Sequence, residues 1–77
     1  MVIALIRHLV EKLVDNPQAI SITETFKDTV SVIEIRVASE DLGKVIGKEG
    51  RTARSLRTLV GAMSKLQKIQ INLEIIE

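Results

Sequence analysis

The chain has 77 residues, 45% of them hydrophobic and 27% charged, with a net charge of +1; this fits one small ordered domain over 1–77, burying only about 60% of its unfolded surface. With no cysteine and one histidine it can build neither a disulfide nor a zinc site of the usual kind, and it offers few groups for acid–base or nucleophilic chemistry, so no enzyme, metal or cofactor is expected. It has no apolar run of about 18 residues and no basic region ahead of an apolar N-terminal core, so neither a membrane span nor a secretion signal is expected, and the default location is the cytoplasm.

The first element is a helix. Val2, Ile3, Leu5, Ile6, Leu9, Val10, Leu13 and Val14 recur at spacings of three and four, while Arg7, His8, Glu11 and Lys12 fill the other face. Pro17 disfavours helix at Asn16 and ends it. Ile20 and Ile22 then alternate with Ser21, Thr23 and Thr25, which predicts a strand over 20–26. Lys27-Asp28 is the expected turn into a second strand over 29–37, with Ile33, Ile35 and Val37 on one face and Glu34 and Arg36 on the other.

Ser39 can cap a short helix, with Glu40 and Asp41 favourable at its positive end and Leu42, Val45 and Ile46 on its buried side. Gly47 ends that helix. A longer helix is expected from Arg51 to Leu66, with Leu56, Leu59, Val60 and Met63 as its stripe. Gly61 inside it costs roughly 1 kcal/mol relative to alanine, so the helix either stops there or receives a close neighbour. Ile69, Ile71, Leu73 and Ile75 alternate with polar residues and predict a final half-buried strand. The order is αββααβ. Every strand has a polar parity, which predicts an α+β fold with a three-stranded sheet and helices on one face.

The charge is unevenly spread. Residues 1–43 carry four bases and seven acids, a net of −3, and residues 58–77 carry two of each. Residues 44–57 carry Lys44, Lys48, Arg51, Arg54 and Arg57 against Glu49 alone, a net of +4. A local positive patch attracts a polyanion even where net charge is small, although a solvated helix face is the bland alternative.

Within that patch two helices meet at Gly47-Lys48-Glu49-Gly50. Two glycines let the backbone turn tightly and let another backbone approach. Gly50 opens a helix whose unpaired N–H groups favour an anion. Arg51, Arg54 and Arg57 recur every three residues along one side of that helix. A lone G-x-x-G is weak evidence, since glycines at a helix connection are often only caps. Its position between two helices, after Val45-Ile46 and inside the basic segment, makes it stronger.

The stretch Val45-Ile46-Gly47-Lys48-Glu49-Gly50-Arg51 resembles the VIGxxG signature of KH domains, and the element order resembles the type II arrangement. With Asp41-Leu42-Gly43-Lys44 before it and Arg51-Thr52-Ala53-Arg54 after it, the chain looks closest to the small bacterial single-KH-domain RNA-binding proteins of the KhpA family. The specific part covers about residues 41–57; the rest matches by pattern.

This resemblance implies binding of about four nucleotides of single-stranded RNA, with the backbone clamped at the loop. It implies RNA-binding roles for Lys44, Val45, Ile46, Gly47, Lys48, Glu49, Gly50, Arg51, Arg54 and Arg57. Val45 and Ile46 would form part of an apolar floor, and the central strand, expected at 29–37, would form the other wall. It also implies low sequence selectivity, a role as a post-transcriptional regulator or RNA chaperone-like factor, and a homodimer or a heterodimer with a larger KH-domain protein. Glu49 and Ala53 depart from the common pattern: one brings negative charge to the loop, the other a smaller floor residue.

Other readings fit less well. A P-loop needs four residues between its glycines and Ser or Thr after the lysine, whereas three separate Gly43 from Gly47 and Glu49 follows Lys48. Sheet platforms that stack bases need aromatic residues, and Phe26 stands alone here. A DNA-reading helix-turn-helix over 39–66 would seldom need two glycines flanking its turn. The rival of another class is a dimerisation or protein-interaction module with weak or lost RNA binding, for which Gly61-Ala62 offers a smooth spot on the long helix.

Overall fold

The computed structural model describes residues 2–76. The first helix, α1, covers Val2–Leu13, one residue short of the expected end, and its buried side chains are Val2, Ile6 and Val10. Their spacing of four makes a narrower seam than the sequence stripe, and Leu5 stays partly exposed. Pro17–Ala19 form a 3-10 turn after α1. Strand β1 then covers Ser21–Lys27 and β2 covers Val30–Arg36. The tight turn between them falls at Asp28 and Thr29, one residue later than expected, with Asp28 at φ 56°. Aspartate tolerates this left-handed conformation better than most residues.

A 3-10 turn at Ser39–Asp41 leads into α2, Leu42–Ile46. Ser39 does not cap it: no side chain caps the turn, and the Ser39 hydroxyl reaches only Glu40. Helix α3 covers Arg51–Gln67 and passes through Gly61 without interruption. Nothing lies within 4 Å of where a Gly61 Cβ would stand, so neither outcome expected for that glycine occurs. Lys68, at φ 58°, ends α3 with its N–H donating to the Ser64 carbonyl, and β3 follows at Gln70–Ile76.

The sheet order is β1-β2-β3. β1 and β2 are antiparallel, as a hairpin requires, and β2 and β3 are parallel. A parallel pair needs a long crossover, which α2 and α3 supply. The register aligns Ile22, Ile35 and Ile75, and likewise Ile33 and Leu73, on the helix-covered face. Val30, Val32, Glu34 and Arg36 face the other way. The outer half of β1 extends past the helices, leaving Phe26 59% exposed on the covered side. Ser31, fully buried beside it, donates to Glu24 Oε2 at 2.5 Å.

Buried residues of α1, α2, α3 and the sheet form one cluster, with Ile6, Val10, Ile33, Ile35 and Val45 completely enclosed. This is the α+β architecture expected from the sequence, with all three helices on one face of a mixed sheet. Among the described residues no helix is long and apolar enough to cross a membrane.

Candidate nucleic-acid interface

The chain turns between α2 and α3 through three residues of positive φ. Gly47 lies at φ 79°, ψ 170°, Glu49 at φ 57°, ψ 25°, and Gly50 at φ 74°, ψ 15°. The two glycines do different work. Gly47 occupies a region open essentially to glycine alone. A Cβ there would also stand 2.8 Å from the Thr52 backbone nitrogen, so the start of α3 packs against the bare Cα. Gly50 is left-handed but has open space around it, so only its backbone freedom is used. Glu49 holds a left-handed conformation without being glycine, which its sequence does not announce.

Backbone bonds close the turn: Gly47 N–H donates to the Gly43 carbonyl at 2.8 Å, Gly50 N–H to the Gly47 carbonyl at 3.0 Å, and Arg51 N–H to the Lys48 carbonyl. No side chain caps the N-terminus of α3. The positive end of the helix dipole therefore faces the loop without a carboxylate cap. Arg54 Nη2 donates to the Glu49 carbonyl at 3.3 Å, tying α3 back to the loop. The Glu49 carboxylate lies 3.6 Å from Arg51 Nη2, with both side chains exposed, so part of the Arg51 charge is offset. Lys48, Arg54 and Arg57 are exposed and form no ion pair with any described carboxylate.

Lys44 is placed differently. Its ammonium is paired with Asp15 and lies 3.3 Å from Asp41 Oδ1, so its charge is already partnered. Asp41 is fully buried and also accepts the backbone N–H groups of Asp15 at 3.2 Å and Asn16 at 3.0 Å. Burial alone would raise the Asp41 pKa, but those two amides and Lys44 together hold it below the ordinary carboxylate value. The hydrogen bond to Asp15, only partly opposed by desolvation, holds Lys44 above its ordinary value. The cluster bolts the end of α1 to the base of α2. Sequence reading saw the charge of Lys44 but not its partners, because Asp15 lies 29 positions away.

Beside the loop runs a groove of about 360 Å³ lined by Ile46, Gly50, Ala53, Arg54, Arg57 and Ile75. Of the two residues expected in its apolar floor, Ile46 lines the groove, whereas Val45 is completely buried in the core beneath it. The opposite wall is Ile75 of the edge strand β3, not the central strand. The β2 neighbour of Ile75, Ile35, is fully buried by the helices. On the other side of Arg54, a shallow depression is lined by Arg51, Arg54, Ser55 and Thr58. Ser55 and Thr58 went unnoticed in the sequence, although their spacings of four and seven from Arg51 place them on its face.

The profile of the family described as KhpA/KhpB, KH domain, matches residues 3–75. The chain belongs to this family. It is 44% identical over 73 residues to the "RNA-binding protein KhpA" of Treponema pallidum, covering 95% of this chain and 91% of that one. It is 45% identical over 73 residues to the protein of the same name in Listeria monocytogenes, covering 95% and 96%. The namesake in Streptomyces coelicolor is 50% identical over 58 residues, covering 75% and 73%. The α+β architecture and the G-x-x-G turn between α2 and α3 are those of a type II KH domain, which is the membership that the signature at 45–51 implied.

Proposed function

We propose that this chain is a non-catalytic RNA-binding protein that clamps the backbone of single-stranded RNA at Gly47–Gly50, with low sequence selectivity. The observation that carries this reading is the joining of the loop to an uncapped helix N-terminus and to a groove rimmed by Arg54 and Arg57. Similarity to proteins named for RNA binding supports it. Phosphates meet the loop backbone, Lys48, Arg54 and Arg57, while bases lie against Ile46, Ala53 and Ile75. Arg51 contributes with part of its charge offset by Glu49. Lys44 and Val45 act from behind, one by bolting α2 in place and the other by filling the core beneath it. In this reading residues 1–77 act as one KH domain in the cytoplasm, as a post-transcriptional regulator or RNA chaperone-like factor.

The test is a titration of labelled single-stranded RNA with the intact chain and with a Lys48→Asp, Glu49→Asp double variant of confirmed fold. Aspartate tolerates the left-handed position at 49, so the loop keeps its shape while the lysine charge reverses. Loss of most binding is expected. Equal binding by both proteins would make the loop a structural connection only.

Self-association, or pairing with a larger KH-domain protein, is a second reading favoured by one observation. Gly61 and Ala62 are exposed on α3 and Leu66 is 81% exposed, one turn beyond Ala62 on the same face. A dimer would present two loops to one RNA and raise avidity. Sedimentation over a concentration range should show association that Leu66→Glu weakens; a strict monomer at all concentrations would remove the homodimer.

A further inference from the structure

We propose that the depression on the outward face of α3, between Arg51, Arg54 and Ser55, is a phosphate site separate from the base groove, which takes the phosphate at one end of the strand held at the loop. The proposal rests on the RNA-binding reading above. Arg51, Arg54, Ser55 and Thr58 line a depression of about 420 Å³, and all four are exposed. Their spacing puts them on one face of α3, turned away from the buried Ala53, Leu56 and Val60. Arg54 also lines the groove beside the loop, so it forms the ridge between the two hollows. A strand with its last base in the groove would bring the phosphate beyond that base over this ridge.

The lining decides the chemistry. The groove has the apolar floor that a base face needs, in Ile46, Ala53 and Ile75. The outer depression has no apolar side chain in its lining, so it suits a charged group and not a base. Its donors are two guanidiniums and one hydroxyl. Arg54 gives one N–H to the Glu49 carbonyl at 3.3 Å and keeps the others. Thr58 Oγ1 donates to the Arg54 carbonyl at 3.0 Å, so its hydrogen is used within the helix. The Ser55 hydroxyl is engaged by no described residue and can donate to a ligand. The Glu49 carboxylate, 3.6 Å from Arg51 Nη2 and exposed, is a weak competitor that a phosphate dianion outmatches.

A carboxylate of a partner protein could also pair with these arginines. A terminal phosphate, however, offers three acceptor oxygens to the three donor groups and nearly two negative charges to the two guanidiniums, where a carboxylate offers two oxygens and one charge. A strand already held at the loop also presents its end phosphate at high effective concentration.

The experiment uses the intact chain and uridine tetramers with no terminal phosphate, with a 5′-phosphate or with a 3′-phosphate. Both phosphorylated forms carry the same added charge, so general attraction raises both alike. The site should raise one of them at least about fivefold more than the other. Ser55→Glu sets a carboxylate between the arginines at an exposed helical position that tolerates it, and should erase that difference. The Arg51 Nε–H resonance should move with the favoured tetramer and not with the bare one. A bare pentamer can bring only a phosphodiester to the site. Its gain over the bare tetramer, if larger than the about twofold of an extra register, assigns the site to a continuing strand; a gain no larger assigns it to a cut end. Equal gains from the two phosphorylated ends would overturn the site and leave the loop clamp standing. A difference that survives Ser55→Glu, or an unmoved Arg51 resonance, would also overturn it. If the wild-type chain binds none of the tetramers, the RNA-binding reading fails and the site with it.

Discussion

Gly47 and Gly50 look equivalent in the motif but face different constraints. At Gly47 both the backbone region and the Thr52 nitrogen exclude a side chain. At Gly50 only the left-handed backbone matters, and asparagine adopts it readily. We expect Gly50→Asn to cost less than about 1 kcal/mol and Gly47→Asn several times more. Urea unfolding midpoints of the two variants would rank them, and equal midpoints would contradict the assignment. Thr52 adds a steric constraint to the backbone one at the first glycine. No one-dimensional pattern marks it, because the approach occurs only when the loop brings the start of α3 back under Gly47.

At the scale of elements, α3 carries most of the candidate interface. One face, through Ala53, Leu56 and Val60, is core. Another carries Arg51, Arg54 and Arg57, with Ser55 and Thr58 beside Arg51 and Arg54. Arginines that touch phosphate position a strand without specifying it. Replacing Arg54 and Arg57 together with alanine should therefore weaken binding of all uniform oligoribonucleotides by similar factors. It should also reduce the salt slope from about −2 to −3 toward −1, at roughly 0.7 for each phosphate that is no longer neutralised. Weakening confined to one base would instead identify direct base readout. The sequence showed the arginine row by its spacing of three. It did not show which strand closes the groove, since that depends on α3 lying over β3 rather than β2.

At the scale of the whole molecule, the bolt formed by Asp15, Asn16, Asp41 and Lys44 joins the first helix to the base of the loop-bearing helix. Asp41 titrates below its ordinary value when folded, so the folded state prefers it ionised. Its stabilisation is present above the ordinary carboxylate pKa, about 3.9, and is lost as pH falls through the lower folded value. Lys44, raised when folded, contributes below its ordinary pKa near about 10.4 and loses that contribution only in strong alkali. Asp41→Asn should therefore lower the urea midpoint at pH 7, where one of the two amides faces an amide donor instead of an oxygen. The gap from wild type should begin to narrow as pH falls below the ordinary carboxylate value and be smaller at pH 3 than at pH 7. A gap unchanged between the two pH values would show that Asp41 acts through shape and not through charge.

Local pattern alone determined the element order, which parity of each strand faces the helices, the basic segment and the G-x-x-G turn, because amphipathic period and backbone freedom are written in neighbouring residues. Helix and strand ends moved by only one or two positions. Tertiary structure decided the rest. It made Val45 core and Ile46 groove, although they are adjacent, because a helix turns successive residues by about 100° and only packing says which face is covered. It removed Lys44 from the free cations by bringing Asp15 to it across 29 positions. It also made β3 the groove wall, since strand order and helix placement arise from the parallel crossover and leave no trace in any one segment.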